Sequence, residues 1–305
     1  MEGSVEIYGI KLPIIKGKCD LAKVIVDSVR KQGLEFRDGD IIAVTCKIVS
    51  KCLGLLVNLG EIKPSPRALK IASKSGVNPR FIELLLRESD ELLLAIPVKK
   101  LADEGVVGIY RFSRRPKLAR KVLKEYPTIF LVIRNGMLWT DAGLDSSNHP
   151  PNIHSVPPRN IDAVAKELRN RIRELTGKDV AVIVCDTEAF LVGSLDIARG
   201  SYGIEPVDRG FGEPDLYGKP KFGGVDAIVH EVCAAAALVM RQTSQGIPVA
   251  LIRGVNYEKC ECGYSDRVRR GVRKQAKALK HIINHTVKVL GIEHVLKTLL
   301  AIIKS

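Results

Sequence analysis

Short apolar runs alternate with amphipathic segments along most of the chain, which is typical of an α/β protein. The apolar runs predict strands at 41–45, 91–98, 128–133, 180–185 and 248–253. Apolar residues that recur at helical spacing predict helices at 20–31, 66–75, 79–89, 117–125, 160–175 and 225–240, and one or two more within 266–304, broken near Gly291. We therefore expect an α/β protein of the α+β kind, with mixed sheets and flanking helices.

Capping and breaking residues refine part of this pattern. Asn160 can cap the helix that follows it, and Gly177 ends the same helix before the strand that leads to Asp186. Four prolines between 150 and 158 predict a loop. Residues 188–224 are rich in glycine and charge and show little periodicity, which predicts a long, irregular functional segment.

The bulk composition is that of a globular protein. At 305 residues and 46% hydrophobic, the chain can bury one large core or two modest ones. Its apolar runs fall short of the roughly 20 residues that cross a membrane. Residues 1–4 contain an acid and no base, unlike a secretory signal. We expect a cytoplasmic protein with no membrane partner.

Seven cysteines are scattered over the chain rather than packed into a disulfide framework, so we expect most of them to be reduced. Cys185 and Cys233 lie inside apolar runs and are interpreted as small core residues. Cys260 and Cys262 form an isolated C-x-C without a second ligand pair at zinc spacing. A cysteine metal site is therefore not expected.

The net charge of +14 comes from two segments. Residues 99–125 hold nine Lys and Arg against three Asp and Glu, and residues 259–305 hold eleven against three, while the rest of the chain has 28 of each sign. Such segments can recruit a polyanion, stiffen a dimer or form solvated helix faces, and the sequence leaves these alternatives open.

Two aspartates follow two of the most apolar runs. Asp145 lies in the polar cluster 140–148 after the run 128–139, and Asp186 with Thr187 follows the run 180–185. Carboxylates and hydroxyls at the ends of buried strands are the hard oxygen ligands that divalent cations use in phosphate chemistry. The alternative is a polar turn at the first position and a helix cap at the second.

Two further segments suit a nucleotide. In 45–51, apolar residues alternate with Lys47 and Lys51, which we interpret as an extended segment whose lysines share a face and contact phosphate; edge-strand lysines are the alternative. The loop 240–248 offers polar side chains and backbone amides. The chain has neither a P-loop nor a strand-linked G-x-G-x-x-G, so it belongs to neither common nucleotide fold.

In chain order, these segments resemble the coenzyme F420-0:L-glutamate ligase family, whose members add glutamate to a deazaflavin coenzyme using GTP. The matching segments are 12–15, 45–51, 64–66, 88–89, 142–148, 186–187, 215–218, 234–240, 246–248 and 253–254. The resemblance implies the two-lobed α/β ligase fold of that family. It implies a ligase-like core at 1–256 that carries a basic helical insertion at about 99–125, followed by a basic helical extension at 257–305.

The resemblance also implies a ligand set. The implied GTP-binding residues are Leu12, Pro13, Ile14, Ile15, Cys46, Lys47, Lys51, Asn148, Met240, Arg241, Gln242, Thr243, Ser244, Gln245, Gly246 and Ile247. The implied ligands of two Mg²⁺ or Mn²⁺ ions are Asp145, Asp186, Thr187 and Gln242, with Asp145 and Asp186 also the catalytic residues. A monovalent cation is an optional addition. The implied reaction activates a carboxylate as an acyl phosphate, which the glutamate amine then attacks.

The chain departs from the family directly after Asp186-Thr187. The family continues with a Gly-Arg-rich stretch, whereas this chain has the shorter segment 188–193 with Phe190 in place of a guanidinium. An apolar ring cannot replace bidentate recognition of an anion. The departure predicts a changed acceptor side, for which Arg199 or Arg209 are candidate compensating residues.

Three hypotheses follow. The leading one is a homodimeric, GTP- and metal-dependent ligase that joins a carboxylate to L-glutamate. The second is a divergent paralogue that keeps the nucleotide and metal but joins another acid and amine, which the segment 188–193 favours. The third is a non-catalytic nucleotide- or nucleic-acid-binding protein on the same core, which the basic segments favour.

Overall fold

The structure is a computed structural model that describes residues 3–190, 193–241, 243–268 and 272–297. The chain divides into two compact units, Met1–Val268 and Arg269–Ser305. The first unit contains all the strands of the described residues. Among the helices of the described residues, none is long and apolar enough to cross a membrane.

The strands are β1 (Glu6–Ile10), β2 (Ile41–Thr45), β3 (Leu56–Asn58), β4 (Glu91–Ile96), β5 (Ile129–Arg134), β6 (Met137–Thr140), β7 (Ile153–Ser155), β8 (Ala181–Phe190), β9 (Gly193–Tyr202) and β10 (Val249–Arg253). The helices are α1 (Leu21–Lys31), α2 (Cys46–Leu53), α3 (Pro66–Ser75), α4 (Pro79–Glu88), α5 (Val98–Asp103), α6 (Ile109–Phe112), α7 (Pro116–Glu125), α8 (Ile161–Thr176), α9 (Ile228–Met240), α10 (Tyr264–Arg267) and α11 (Val272–Leu290). Short 3₁₀ helices occupy Leu59–Glu61 and Asp141–Gly143. The mixed α/β class is as the sequence predicts.

The central sheet has five strands in the order β1, β10, β2, β8, β9. Its middle strands are covered on both faces: Ile42 and Val44 of β2 pack into one core cluster, and Ile41 and Ala43 pack into another. Strands β2 and β8 run parallel, with Thr45 beside Cys185, so their carboxyl ends meet at one edge of the sheet. Asp186 follows at that edge, where ligands commonly bind in α/β proteins.

A second sheet has the order β4, β5, β6, and β3 pairs with β7. The two-residue turn between β5 and β6 is Asn135-Gly136, with φ of 51° and 72°. Positive φ at both central residues matches the right-handed twist of a tight hairpin. The apolar run 128–139 is therefore two strands rather than one, and it ends at the polar cluster that contains Asp145.

Most predicted elements are confirmed within three residues of their predicted ends, including the helix around 117–125 and the break at Gly291, which has φ of 80°. The sequence prediction missed β1, β3, β6, β7 and β9. It was also wrong that 188–224 is irregular throughout, because β8 continues to Phe190 and β9 occupies Gly193–Tyr202. The backbone of β9 forms its hydrogen bonds with the hydrophobic strand β8. A strand placed in this way does not need an apolar periodicity of its own, so the sequence pattern gave no signal for β9.

The segment 45–51 is the second correction. Only Thr45 is extended. The helix α2 begins at Cys46 and ends at Leu53, and Gly54 caps it with a left-handed φ of 74°. Buried residues Cys46, Val49 and Cys52 recur every three positions, which is a helical period. Lys47 and Lys51 still share a face, because they lie four residues apart on a helix.

The basic insertion forms α5, α6 and α7 around a small core of its own, made by Val98, Ala102, Val107 and Leu123. The basic residues of 99–125 therefore belong to a folded segment with its own core and not to a disordered loop.

Three disulfides correct the expectation of reduced cysteines: Cys19–Cys52, Cys185–Cys233 and Cys260–Cys262. The first two join residues 33 and 48 positions apart, a proximity that follows only from the fold. Cys185 and Cys233 are fully buried, as the interpretation as core residues required. Glu205 lies beside Cys260 and Cys262 at a spacing that a metal ion would accept, but the two sulfurs are bonded to each other.

Candidate functional site

A cavity of about 620 Å³ opens at the sheet edge where β2 ends beside Cys185 of β8. Four parts of the chain line it: the segment after β1, the helix α2, the loop after β6 and the loop after α9. The β8–β9 hairpin closes one side through Asp186, Thr187, Ala189 and Ser194. Cavities of this size hold nucleotide-sized ligands.

Asp145 is placed by the loop after β6. Its backbone exchanges two hydrogen bonds with Ser155, of 3.2 and 2.8 Å. Gly143, with φ of 72°, allows the chain to pass close to Trp139, because a Cβ there would lie 2.5 Å from the indole ring. The Asp145 carboxylate accepts a hydrogen bond of 2.6 Å from the Ser147 amide and contacts the Lys47 ammonium at 2.8 Å. Both contacts hold the carboxylate at the wall of the cavity.

Asp186 and Thr187 follow the buried core of β8. Withdrawal from water raises the pKa of the Asp186 carboxyl to about 7; the Arg199 guanidinium opposes this shift and the Asp145 carboxylate adds to it. The Thr187 hydroxyl donates to Asp196 at 2.8 Å, so its lone pairs remain available as acceptors. Two interacting carboxylates and a hydroxyl oxygen, partly shielded from water, form a donor set that fits a divalent cation.

The two lysines of α2 connect the walls of the cavity. Lys47 contacts Asp145 and also donates to the Ser147 hydroxyl. Lys51 donates to the backbone carbonyl of Asn148 at 2.6 Å, and the side-chain amide of Asn148 donates to the backbone carbonyl of Thr243 at 3.2 Å. Burial, and secondarily the charge of Lys47, lower the pKa of Lys51. Two cationic groups beside two carboxylates suit a complex of a phosphate with a metal ion.

The structure brings most residues of the predicted site together. Those that line the cavity are Leu12, Pro13, Ile14, Ile15, Lys47, Lys51, Asp145, Asn148, Asp186, Thr187, Met240, Thr243, Ser244, Gly246 and Ile247. The Leu12 amide donates to the Gly246 carbonyl at 3.0 Å, which joins the first and last of these segments.

Three predicted nucleotide-binding residues are not among the lining residues of the described chain: Cys46, Arg241 and Gln245. The Cys46 side chain points into the core and is only 2% exposed. Gln245 accepts a hydrogen bond from the Thr243 hydroxyl. The predicted metal ligand Gln242 lies outside the described residues.

A buried ion pair behind Asp186 was not predicted. The Arg199 guanidinium donates to the Glu188 carboxylate and, at 2.8 Å, to the Leu138 carbonyl, and it stacks 3.8 Å from the centre of the Trp139 ring. Glu188 also accepts a hydrogen bond of 2.7 Å from the Thr140 hydroxyl. Arg199 is 3% exposed. Arg199 therefore connects β6, β8 and β9 inside the protein, and its guanidinium is not accessible for binding an anionic substrate.

Arg209, the other candidate compensating residue, is exposed and paired with Glu258, and it is not among the described residues that line the cavity.

Sequence reasoning also missed the raised pKa of the Asp141 carboxyl. Burial raises the pKa of its carboxyl to about 7, while a hydrogen bond from the Phe130 amide opposes the shift. The only signal for Asp141 in the sequence is its place in the polar cluster 140–148.

Comparison with known proteins identifies the family of the chain. The family model F420-0:Gamma-glutamyl ligase matches residues 9–254. The chain is 32% identical over 253 residues to the coenzyme F420:L-glutamate ligase of Methanothermobacter thermautotrophicus, covering 82% of this chain and 89% of the relative. It is 34% identical to the protein of that name from Methanopyrus kandleri, covering 78% and 82%, and 32% identical to that from Archaeoglobus fulgidus, covering 83% and 88%. The match spans every segment that lines the cavity, and the chain belongs to the F420-0:gamma-glutamyl ligase family.

Proposed function

We propose that this protein is a GTP- and divalent-metal-dependent ligase that forms an amide bond between a substrate carboxylate and L-glutamate through an acyl phosphate. Its similarity to coenzyme F420:L-glutamate ligases supports the ligase class and the glutamate amine. The observation that carries the nucleotide and metal part is the meeting of Asp145, Asp186, Lys47 and Lys51 in one cavity of about 620 Å³.

Asp145, Asp186 and Thr187 would hold the metal, with Gln242 as a further predicted ligand. A bound Mg²⁺ or Mn²⁺ neutralises phosphate charge and orients the transferred phosphoryl group. The donor set fits this role, because Asp186 is withdrawn from water beside a second carboxylate and a bound cation would offset that repulsion.

The residues of the chain divide the remaining work. Lys51 and Lys47 face the cavity and would bind nucleotide phosphates, while Asn148 and the segments 12–15 and 243–247 enclose the rest of the nucleotide. In the first step, an oxygen of the substrate carboxylate attacks the terminal phosphorus of GTP, and GDP leaves. In the second, the amine attacks the acyl carbon, loses a proton and expels phosphate. Both steps depend mainly on positioning and charge.

The acceptor acid is the open part of this proposal. Ala189 and Ser194 line the cavity on the β8–β9 side, next to the segment where we predict that the chain departs from the family's arginine-rich stretch. With Arg199 buried, this side presents the small, neutral side chains of Ala189 and Ser194 beyond the proposed metal ligands Asp186 and Thr187. A carboxylate substrate with an uncharged body fits such a surface better than a polyanion.

The experiment is incubation of the full chain with GTP, Mn²⁺, L-glutamate and the deazaflavin precursor, followed by mass analysis. The expected product is the precursor plus one glutamyl residue, with release of GDP. Asp186→Asn removes a proposed ligand and should abolish the product, whereas Asp27→Asn, on the exposed face of α1, should leave it unchanged. GTP binding without product would retain the nucleotide site and reject the deazaflavin acceptor. Absence of both GTP and Mn²⁺ binding would reject the proposal.

We also propose that the protein acts as a homodimer. An exposed apolar surface supports this, formed by Phe211, Leu216, Tyr217, Phe222 and Val225. Two of these rings, Phe211 and Phe222, pack edge to face with their centres 5.4 Å apart. Light scattering should report twice the chain mass, and Phe222→Ser should lower it. Leu69→Ser, which changes a half-exposed leucine of α3, is the control and should leave the mass unchanged.

A further inference from the structure

The helix α11 is basic on one face and aliphatic on the other. Its 19 residues include five Lys and Arg and neither Asp nor Glu. At about 100° per residue, Lys277, Lys280 and Lys288 fall on one face, and Ile282, Ile283, Val289 and Leu290 fall on the opposite face. This is the pattern of a helix that meets an anionic surface and an apolar phase at once.

The aliphatic side chains of this face are exposed. Ile282 and Val289 are each 61% exposed, and Ile283 and Leu290 are at least half exposed. Ile292 and Leu296, beyond the break at Gly291, are exposed as well. A contiguous apolar stripe left in water on a soluble unit marks an interaction surface.

Charge selects the occupant of this surface. Residues 269–305 hold nine Lys and Arg against one acid, and residues 1–268 hold 39 against 33, so both parts are basic. Docking on a second α11 would bring two helices of like charge together, which costs free energy. A nucleic acid would contact the lysines but leave the aliphatic face in water. An anionic lipid bilayer satisfies both faces.

We infer that α11 binds the surface of an anionic phospholipid bilayer, with its axis in the membrane plane. Ile282, Ile283 and Val289 enter the boundary of the acyl chains, and Lys277 and Lys280 lie among the lipid phosphates. The expectation of no membrane partner rested on the lack of a spanning segment. A helix that lies in the interface needs no span, and α11 is too polar to form one.

The test is cosedimentation of the full chain with vesicles. Vesicles of equal parts phosphatidylglycerol and phosphatidylcholine should pellet the protein, and vesicles of phosphatidylcholine alone should leave most of it in solution. The double variant Ile282→Gln/Val289→Gln should weaken binding to the anionic vesicles by roughly a hundredfold, since two aliphatic side chains lose their apolar environment. The matched control His281→Gln/Asn284→Gln places the same residue on the polar face and should bind within about threefold of the parent.

Lys277→Gln/Lys280→Gln should weaken binding roughly twentyfold, and added salt should reduce that difference. Circular dichroism and the thermal unfolding of each variant establish that the fold is retained. Three results would each overturn the inference. The first is no binding to anionic vesicles, and the second is equal vesicle binding by the aliphatic-face and control variants. The third is that Lys277→Gln/Lys280→Gln weakens binding to mixed-sequence RNA but does not weaken binding to vesicles. A self-association of the chain that the aliphatic-face variant abolishes, without vesicle binding, would identify a second copy as the occupant and reject the lipid surface.

Discussion

Two sides of the same cavity use their charged groups in opposite ways. On the lysine side, formed by Lys47, Lys51 and Asn148, polar and charged atoms line the cavity and connect α2 with two loops. On the β9 side, formed by Glu188, Arg199 and the hairpin they belong to, the charges are buried and bonded to each other. The first side has charged groups available to a ligand, and the second has its charged groups paired inside the protein.

The difference bears on the proposed nucleotide and acceptor regions. The proposed nucleotide and metal ligands lie on the lysine side and at the carboxylates, whereas the β9 side includes the segment 188–193, where we predict a departure from the family. A buried ion pair contributes little net stability, yet it fixes which strands and rings meet. The β9 side therefore sets the shape of the acceptor region without contributing an anion-binding group.

The largest effect is expected at Asp186, where the two sides meet. Asp186→Asn removes a charge from the proposed metal ligands, and ligation should fall about a thousandfold, since a bound metal supplies several kcal/mol of charge stabilisation. Calorimetry with Mn²⁺ provides a readout that is independent of the reaction and should show loss of binding. Asp27→Asn is the surface control. Normal Mn²⁺ binding by Asp186→Asn would remove the carboxylates from the metal site.

The β9 side should respond in stability rather than in nucleotide binding. Arg199→Met leaves the Glu188 carboxylate buried without its partner, which should cost roughly 3–5 kcal/mol of the free energy of unfolding. Urea unfolding measures this cost, and affinity for GTP should change less than about threefold because the nucleotide contacts lie elsewhere.

The double variant Arg199→Met/Glu188→Leu removes both charges and should recover most of the stability that Arg199→Met loses. If Arg199→Met instead kept full stability and raised only the KM for the acceptor acid, Arg199 would be a substrate-binding residue. The contrast between the two sides would then fail.

The lysine side should respond in nucleotide affinity. Lys51→Met removes an ammonium that has no carboxylate partner within the described residues, and the Kd for GTP should rise roughly 10- to 100-fold, the value of a charged hydrogen bond. Lys47→Met should have the smaller effect, because Lys47 is already neutralised by Asp145 at 2.8 Å. Lys63→Met, an exposed lysine outside the cavity, is the control. Equal losses at Lys47 and Lys51 would show that the pairing with Asp145 does not discriminate between them.

The sequence supported the lysine side better than the β9 side, for a physical reason. Lys47 and Lys51 face one way whether their segment is extended or helical, so the error about α2 did not alter the conclusion. Asp186 and Thr187 could be singled out because the apolar run 180–185 stops before them, although β8 itself continues to Phe190. The parallel pairing of β2 and β8, which brings the two segments together, follows from the fold and not from local pattern.

The β9 side could not be predicted in this way. Glu188 and Arg199 are brought together by the antiparallel register of β8 and β9 and by the indole of Trp139, none of which is encoded in a local spacing. A charged residue in a sequence favours exposure, so the burial of Arg199 had no signal. The hairpin at Asn135-Gly136 was different, because that dipeptide between apolar runs is a recognised turn signal that the prediction did not use.

The smallest effect is expected at His149, on the lysine side, in the pH dependence of stability. Burial, and secondarily the charge of Lys51, lower the pKa of its imidazole to about 4, and both ring nitrogens lack a hydrogen-bond partner among the described residues. In the unfolded chain the pKa is near 6.5, so the ring is neutral in both states above that pH and its full contribution to stability is present. The contribution is lost as the pH falls from about 6.5 through about 4.

His149→Gln removes this titration, so the parent should lose stability relative to the variant as the pH falls through that window. The effect is small because the ring is only half-buried and water screens its charge. Urea unfolding of both proteins at neutral and acidic pH measures it, and His281→Gln, at an exposed histidine of α11, serves as the control. Parallel pH curves for the parent and His149→Gln would mean that the charges of the lysine side do not reach the ring. The lysine side would then be more open to water than its contacts indicate.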